Sequence, residues 1–317
     1  MAGFTTNSVD HLIRSNIWST QIKGVLEDEL MGMTYVEMVT DFPDGDTLNI
    51  PSIGQMETQD YAEGQAVIYT AMDTGNFTFT ITDYKSSATY ITNKMKQDSI
   101  YMDRLVASFV PKQERALMKV MEAKILAIGP DGQTVSNNNT INGARHRYVA
   151  SGTGDVMTVQ DVARAGYALK KANVPMTNLV GIVDPSVGYT FSTLTNLVNM
   201  SNNPRWEGIV ADGITTGMKF VRNIYGFDIY ESQNLKSGMS ETIDTNSVTN
   251  GVANVFFSAV PDVRPFIGQI RQPPVVDSEY NKDQQRDEYV TTCRYGFKLF
   301  RPENLVVILS DTTQVYV

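Results

Sequence analysis

The stretch at residues 111–129, PKQERALMKVMEAKILAIG, decides the fold because it predicts one long amphipathic helix. Proline is favourable at the first helical position, where its missing N–H costs nothing, and Gly129-Pro130 supplies a stop signal. At 1.5 Å per residue this helix would span roughly 27 Å, about the width of a small domain. Its predicted apolar stripe consists of Leu117, Met121, Ile125 and Ile128, widened by Met118, Ala123 and Leu126.

The other side of the predicted helix is charged and carries Lys112, Arg115, Lys119, Glu122 and Lys124. Periodicity alone indicates an ordinary amphipathic core helix. The order of the neighbouring segments favours more than that, since hairpin-like sequence precedes the helix and a compact α/β stretch follows it. We therefore expect a rod along which separate lobes are arranged.

Length and composition indicate a folded protein. The chain has 317 residues and 42% hydrophobic residues, enough for a sizeable core and more typical of two lobes than of one. No apolar run approaches the roughly 18 residues that cross a bilayer, and the first residues lack a signal-peptide core. We expect a soluble protein made in the cytoplasm. Its one cysteine, Cys293, is expected to be a small apolar residue in a strand.

The net charge of −9 bears on possible partners. A protein that grips nucleic acid neutralises phosphates with clustered Lys and Arg, and the basic residues of this sequence are dispersed. If the protein works near DNA, it is expected to surround the DNA rather than to hold it.

The part of the chain before the long helix predicts a loose arm, a helix and an extended hairpin. Residues 1–6 are small and polar, residues 8–30 show helical spacing, and residues 41–46 break the pattern. Strands are predicted at residues 47–50, 66–70 and 76–84, with a turn at 73–76 and with Phe77, Phe79 and Ile81 on one face. These strands bring too few apolar residues to close a core, so the hairpin must pack on its own domain or on a neighbouring subunit.

A second amphipathic helix at residues 99–110 is predicted to end or kink at Val110, because residues before proline avoid the α region. The turn-rich segment after Gly129 contains a tight turn at Asn142-Gly143. A lobe then begins at Thr158, whose spacing to Asp161 is that of a capping box.

Helices and strands alternate in this lobe. The first helix presents Val162, Ala165, Leu169 and Ala172 and ends before Pro175. A buried strand at residues 179–183, a helix after Pro185, a flexible loop at 213–217 and strands at 220–224 and 227–231 follow. C-terminal strands are predicted at residues 255–260, 289–300 and 305–309, and we expect them to pack back against the long helix.

Catalytic and metal-binding patterns are weak in this sequence. His11, His146 and Cys293 are too far apart for metal-ligand spacing, and neither a G-x-S-x-G elbow nor a complete phosphate loop occurs. Two acidic groups are interpreted as solvated turns, with a carboxylate-dependent hydrolase as the alternative; they are Asp41, Asp44 and Asp46, and Asp283, Asp287 and Glu288. We therefore predict no catalytic, cofactor-binding or metal-binding residue, and no cofactor.

Taken in order, these segments resemble the tailed-bacteriophage major capsid protein family, with its Hong Kong-type capsid fold. The resemblance rests on the helix at 111–128 and on four short motifs. These are DGDTLNIP at 44–51, NVP at 173–175 before a strand that ends at Asp184-Pro185, GFDIYESQNL at 226–235 and RYGFKLFRPE at 294–303.

The resemblance implies an α+β fold with five parts. They are an N-terminal arm and helix (1–45), an extended β-hairpin loop lying across a neighbouring subunit (46–92), a peripheral domain with the spine helix (93–154), an axial α/β domain (155–254) and returning strands of both domains (255–317). It also implies a shell subunit without catalysis. Pentamers and hexamers of this subunit would build an icosahedral shell around double-stranded DNA.

The resemblance implies the partners as well. Only a short segment precedes the hairpin, so a separate scaffolding protein is expected, together with a portal and, in some shells, a decoration protein. The location would be the virion capsid, assembled in the host cytoplasm, without a membrane. Three alternatives stay open: an encapsulin-like nanocompartment shell, the carboxylate-dependent hydrolase and a β-rich tail protein. If the hairpin has no core of its own, Phe79→Asp should leave a folded subunit that assembles poorly.

Overall fold

A computed structural model describes most of the chain. The described residues are 30–39, 45, 47–53, 60, 63–64, 74–98, 102–133, 139–193 and 220–311. Several predicted features lie outside them, namely residues 8–29 of the first helix, the strand at 66–70, the loop at 213–217, Asp41, Asp44, Asp46 and His11.

Four helices and fifteen strands are present in the described ranges. The helices are α1 (Asn93–Asp98), α2 (Met102–Gly132), α3 (Val159–Lys171) and α4 (Pro185–Thr193). The strands are β1 (Val36–Met38), β2 (Thr47–Ile53), β3 (Thr74–Thr80), β4 (Asp83–Thr92), β5 (Thr140–Ile141), β6 (Ala144–Arg145), β7 (Arg147–Val149), β8 (Leu179–Val183), β9 (Phe220–Ile224), β10 (Phe227–Glu231), β11 (Met239–Ile243), β12 (Asn246–Ser258), β13 (Phe266–Asn281), β14 (Arg286–Leu299) and β15 (Val306–Asp311).

The long helix is confirmed, but both of its predicted ends are wrong. Helix α2 runs without interruption from Met102 to Gly132 and contains both Pro111 and Pro130. A proline inside a helix costs about 3 kcal/mol because it removes a hydrogen bond and its ring crowds the preceding turn. Burial of one side of α2 against β13 and β14 offsets that cost. The expected packing of the returning strands on this helix is thereby confirmed.

The buried side of α2 differs from the predicted stripe at three positions. Leu117, Met121, Ile125, Leu126 and Ile128 are buried as predicted. Met118 is 47% exposed and Ala123 is also exposed, whereas the predicted surface residue Glu122 is completely buried. The stripe is therefore narrower than the sequence suggests, and it includes one carboxylate.

A seven-stranded mixed sheet forms the middle layer of the molecule. Its strand order is β7-β15-β12-β8-β10-β9, and β11 pairs with β12. One face packs against α3 and α4 through residues such as Leu169 and Phe191, and the other face belongs to the core that contains α2. Because both faces are covered, β8 and β15 consist almost entirely of buried apolar residues.

Three local features predicted from the sequence, a capping box and two turns, are confirmed. Thr158 and Asp161 form the predicted capping box, with the Thr158 N–H donating to Asp161 Oδ2 at 2.9 Å. Asn142 and Gly143 have positive φ in the tight turn between β5 and β6. Tyr225 and Gly226 form the corresponding turn between β9 and β10, as the strand predictions required.

A second sheet of four strands has the order β1-β13-β14-β4. Strand β13 was not predicted, since Pro273-Pro274 is usually a break. The structure accommodates both prolines where the pairing of β13 with β14 shifts register between Ile270 and Val275. The predicted strand at 76–84 is also divided, because Ile81 and Thr82 separate β3 from β4. The predicted turn at 74–76 is strand instead, since β3 begins at Thr74.

Strands β2 and β3 form a separate two-stranded hairpin, whereas β4 pairs with β14. Between β3 and β4 the chain leaves the hairpin and enters the four-stranded sheet, and its backbone at Thr80 and Ile81 lies directly over Gly296. A Cβ at that position would lie 2.9 Å from Ile81 Cα and 3.0 Å from Thr80 O. Both atoms belong to the backbone, so no side chain could move to make room.

We therefore expect Gly296→Val to displace the corner between β3 and β4. Overpacking of this kind costs about 1–3 kcal/mol, and the free energy of unfolding measured in urea should fall by that amount. Ala88→Val is the matched control, because Ala88 is exposed in the neighbouring strand β4. Equal stability of the two variants would contradict the close approach at Gly296.

Candidate assembly surface

The four-stranded sheet has a face that the other described residues leave open. Residues 84, 86, 88 and 90 of β4 are all exposed, with Tyr84 at 63% and Tyr90 at 57%. On the opposite face, Ile91 of β4 and Thr291 and Cys293 of β14 are buried, and Thr291 Oγ1 donates to Gln113 Oε1 of α2 at 3.1 Å. Helix α2 thus covers one face of this sheet, and the tyrosines lie on the other.

Strands β13 and β14 extend this open surface to their connecting turn. Val275 of β13 is 46% exposed and pairs with Thr292, the partner of Ser86, so it lies on this face. Asp277 and Glu279 are exposed on the same face. Tyr280 lies on the opposite face, because it pairs with Asp287, the partner of Ile91. Exposed aromatic and apolar residues that lie together on one surface are typical of protein–protein contacts. The distal part of the sheet is therefore a candidate assembly surface.

The base of the hairpin has a small core within its own subunit, which contradicts one expectation. Phe79 and Ile81 are buried against Ile267, and Val39, Leu48, Ile50, Phe77 and Phe300 are half-buried around them. Phe77 meets Phe300 edge to face at 5.0 Å, and Lys298 lies over the Phe77 ring. Because Phe79 is fully buried, Phe79→Asp is expected to destabilise the subunit itself and not only its assembly.

The segment before β1 is held on α2 by the buried carboxylate of Glu122. Met31 N–H donates to Glu122 Oε1 at 3.0 Å, and Gly32 N–H donates to Oε2 at 2.7 Å. A Cβ at Gly32 would lie only 2.7 Å from Oε2, so a side chain at this position would push the carboxylate away from the Met31 and Gly32 N–H groups. The chain then continues into β1, which pairs in parallel with β13. Glu122 thereby sets the point at which the N-terminal residues join the subunit.

Replacing Glu122 by Gln should destabilise this anchor. The amide presents an NH₂ donor where the carboxylate accepted a backbone N–H, and a buried unsatisfied donor costs about 1–3 kcal/mol. Urea unfolding of wild type, Glu122→Gln and the control Glu114→Gln measures the loss. Glu114 lies on the same helix but is only half-buried, so its replacement should change stability little. An unchanged Glu122→Gln protein would show that the carboxylate does not stabilise the anchor.

The stability difference at Glu122 should also depend on pH. Burial raises the pKa of the Glu122 carboxyl, and the N–H groups of Met31, Gly32 and Met33 reverse part of that effect. The folded state therefore binds the proton more tightly than the unfolded chain, so the contribution of Glu122 increases as pH falls and is lost as pH rises through the raised pKa. The deficit of Glu122→Gln should widen as the pH falls through the raised pKa toward the ordinary value of 4.5. A constant deficit would contradict the raised pKa.

The acidic group near the C-terminus is paired with cations. Asp287 forms an ion pair with Lys96, and Glu288 accepts hydrogen bonds from Arg286 at 2.6 Å and from Asn281 at 3.1 Å. Asp283 lies in the turn between β13 and β14, where its N–H donates to Asn281 Oδ1. The solvated-turn interpretation is confirmed for Asp283 and wrong for Asp287 and Glu288, which lie in β14 and join α1 and β13 to it.

His146 and Cys293 are packing residues. His146 is fully buried with Nδ1 3.2 Å from Ala144 O, and burial lowers the pKa of its imidazole. Cys293 is buried in β14, as predicted, and burial raises the pKa of its thiol. Among the described residues, no group of three or more His, Cys, Asp or Glu side chains could hold a metal ion.

A cleft of about 780 Å³ lies between the base of the hairpin, the end of α2 and the end of β14. Its two carboxylates, Asp131 and Glu303, each pair with a cation, Lys236 and Arg301 respectively. None of the described acids of the predicted group at 283–288 lines it. The cleft is therefore not formed by the described acids on which the hydrolase alternative rests; the other group, Asp41, Asp44 and Asp46, lies outside the described residues. None of the helices in the described ranges is long and apolar enough to span a membrane.

Two mixed β-sheets pack against the long helix α2, and a separate two-stranded hairpin completes the fold. It is the α+β fold of phage capsid subunits, as the sequence resemblance implied. No protein-family model and no curated protein sequence matches the chain.

Three solved structures illustrate the likeness. The Cyanophage Pam1 capsid asymmetric unit is 12% identical, with a TM-score of 0.72 over 99% of this chain and 100% of the other. The capsid of Cyanophage P-SCSP1u is 15% identical, with a TM-score of 0.69 over 96% of both chains. A chain of Mycobacterium phage Che8 is 18% identical, with a TM-score of 0.69 over 96% of this chain and 98% of the other. These chains share an architecture with very little shared sequence.

Proposed function

We propose that this chain is the major capsid protein of a tailed bacteriophage. The observation that carries the proposal is the match to capsid chains over nearly the full length of both partners, 99% and 100% for Cyanophage Pam1. Such a match leaves no room for an added catalytic domain in the aligned part of either chain. The protein would act as a structural subunit, without catalysis and without a cofactor.

In this proposal, pentamers and hexamers of the chain close into an icosahedral shell around double-stranded DNA. Each subunit offers surface to several neighbours, and the open face of the four-stranded sheet supplies part of it. Each contact is modest, but repetition over many copies makes the closed assembly stable. The net charge of −9 suits a wall that encloses DNA without binding a particular sequence.

The proposal divides the chain as the resemblance implied. Residues 1–45 form the N-terminal arm, 46–92 the extended hairpin loop, 93–154 the peripheral domain with its spine helix, 155–254 the axial domain and 255–317 the returning strands. Support comes from α2 as the spine and from the separate pairing of β2 with β3. The distal part of the hairpin would lie on a neighbouring subunit, while its base packs within its own subunit around Phe79.

The proposed partners are further copies of the chain, a separate scaffolding protein, a portal and a decoration protein. The location would be the virion capsid, assembled in the host cytoplasm. The fold of the capsid neighbours supports self-assembly. The other partners follow only from the proposed role.

Negative-stain electron microscopy of the purified protein, with and without a co-expressed scaffolding protein, tests the proposal. Closed particles of uniform size are the expected result. Monomers or small oligomers at high concentration in both preparations would contradict it, and rings or tubes would favour a tail protein. Particles that contain an enzyme instead of nucleic acid would indicate a nanocompartment shell.

A further inference from the structure

We propose that the free edge of β4 pairs with the same edge of a second copy of this chain, in antiparallel register about a two-fold axis at Ser87. This inference rests on the proposed function, because it names one contact of the shell. The two four-stranded sheets would join into one continuous sheet across the axis.

Strand β4 is an open edge over its whole length in the part of the chain that the structure describes. It is the last strand of its sheet and, among the described strands, hydrogen-bonds to β14 alone. Helix α1 follows β4 directly but turns toward the other side, where Lys96 pairs with Asp287 and Asn93 Nδ2 donates to Tyr280 Oη at 2.7 Å. Alternate residues of the ten in β4 thus point backbone N–H and C=O groups away from β14, and no described strand pairs with those groups.

The opposite edge of the same sheet carries more protective features than β4 does. Beyond its short pairing with β1, strand β13 contains Pro273-Pro274, a register shift and the acidic residues Asp277 and Glu279. Prolines, bulges and charges are how natural sheets prevent edge-to-edge pairing. Strand β4, DYKSSATYIT, contains neither proline nor bulge and carries one Asp and one Lys. The contrast indicates that one edge is blocked and the other is left to pair.

The sequence of β4 is complementary to itself in this register. A two-fold axis at Ser87 places Ser86 opposite Ala88, Lys85 opposite Thr89 and Tyr84 opposite Tyr90. No like charges meet, and Asp83 faces Ile91. Any register that placed Lys85 opposite Lys85 would bring two ammonium groups together, which destabilises a strand pair. The charges therefore exclude that register and permit the one about Ser87, which the tyrosines distinguish from the other permitted registers.

The two exposed tyrosines give this pairing its side-chain contacts. Tyr84 and Tyr90 lie on the face of the sheet away from α2 and are the most exposed large side chains of β4. In the proposed register each tyrosine of one copy meets a tyrosine of the other, at both ends of the contact. Aromatic cross-strand pairs stabilise antiparallel sheets, and tyrosine is enriched in interface centres.

Cysteine cross-linking tests the register directly. Ser87→Cys is made in a Cys293→Ala background, assembled and oxidised mildly, and the chain is then separated on a denaturing gel without reductant. Opposed residues of an antiparallel pair have Cα atoms about 4.5–5.5 Å apart, within the range of a disulfide. Most of the chain should therefore shift from the monomer to the dimer position. Ser86→Cys combined with Ala88→Cys repeats the test on the open face.

Thr92→Cys in the same background is the matched control. Thr92 is exposed at the end of the same strand, but in the proposed register its two copies lie roughly 33 Å apart, so it should stay monomeric. Particles in which neither cysteine design forms dimers would overturn edge pairing and leave the shell proposal intact. Absence of particles in every variant and in wild type would count against the shell. In that case the unassembled Ser87→Cys protein would be oxidised in the same way. A shift to the dimer position would support edge pairing, and a chain that stays monomeric would overturn it.

Discussion

Replacing Leu117 by Asp should leave no soluble, folded subunit. Leu117 is 4% exposed and belongs to the core that joins α2 to the seven-stranded and four-stranded sheets. The substitution removes a buried apolar side chain and places an unpaired carboxylate among apolar groups. A loss above about 4 kcal/mol is expected, a large share of the 5–15 kcal/mol that stabilises a typical domain.

Met118→Asp provides the matched control for Leu117→Asp. The two residues are neighbours on α2 and both were predicted to be buried, but Met118 is 47% exposed. The control should express as soluble protein with a far-ultraviolet circular dichroism spectrum and a urea midpoint close to those of wild type. If Leu117→Asp were equally soluble and equally stable, this side of α2 would not be core.

Replacing Phe79 by Asp should destabilise the base of the hairpin rather than only its contacts with other copies. Phe79 is fully buried between Ile81 and Ile267. Removal of a buried phenylalanine costs about 3–5 kcal/mol, before the cost of the new carboxylate is added. Unassembled subunit should therefore unfold at a clearly lower urea concentration than wild type does.

Thr82→Asp is the control for Phe79→Asp. Thr82 lies at the exposed corner between β3 and β4, so a carboxylate at this position is solvated. Its stability should match that of wild type. If Phe79→Asp unfolded at the wild-type urea concentration and failed only in assembly, the hairpin base would have no core of its own.

Helices and strands with strong local signals could be predicted from sequence. The capping box of Thr158, the buried strand β8 and the turn at Tyr225-Gly226 depend on short-range chemistry, and all three are present. The ends of α2 could not be predicted, because Pro111 and Pro130 are tolerated only where packing on β13 and β14 offsets their cost.

Glu122 and β13 were missed because their partners are distant in sequence. A glutamate among lysines indicates solvent, yet Glu122 accepts backbone N–H groups from Met31 and Gly32, some ninety positions earlier. Pro273-Pro274 indicates a break, yet the register shift in the pairing with β14 accommodates both prolines. In both cases the local stretch of sequence shows one partner of the interaction, and the other partner lies far away in the chain.

The candidate assembly surface shows a similar limit. The order of helices and strands along the chain was sufficient to predict the capsid fold, because that order can be read without knowing which residues contact each other. The exposure of Tyr84 and Tyr90 depends on which face of β4 helix α2 covers, and that follows from the register between β4 and β14. Sequence alone therefore predicted that the protein would assemble, but not the strand that we propose to carry one contact.

Cryo-electron microscopy of the assembled particle tests most directly whether neighbouring copies complete this subunit. We expect an icosahedral shell in which α2 and both sheets match the fold described above. In that shell, the chain between β2 and β3 should contact an adjacent copy. A map in which that chain packs only on its own subunit, or a preparation that yields only discrete monomers, would contradict the account.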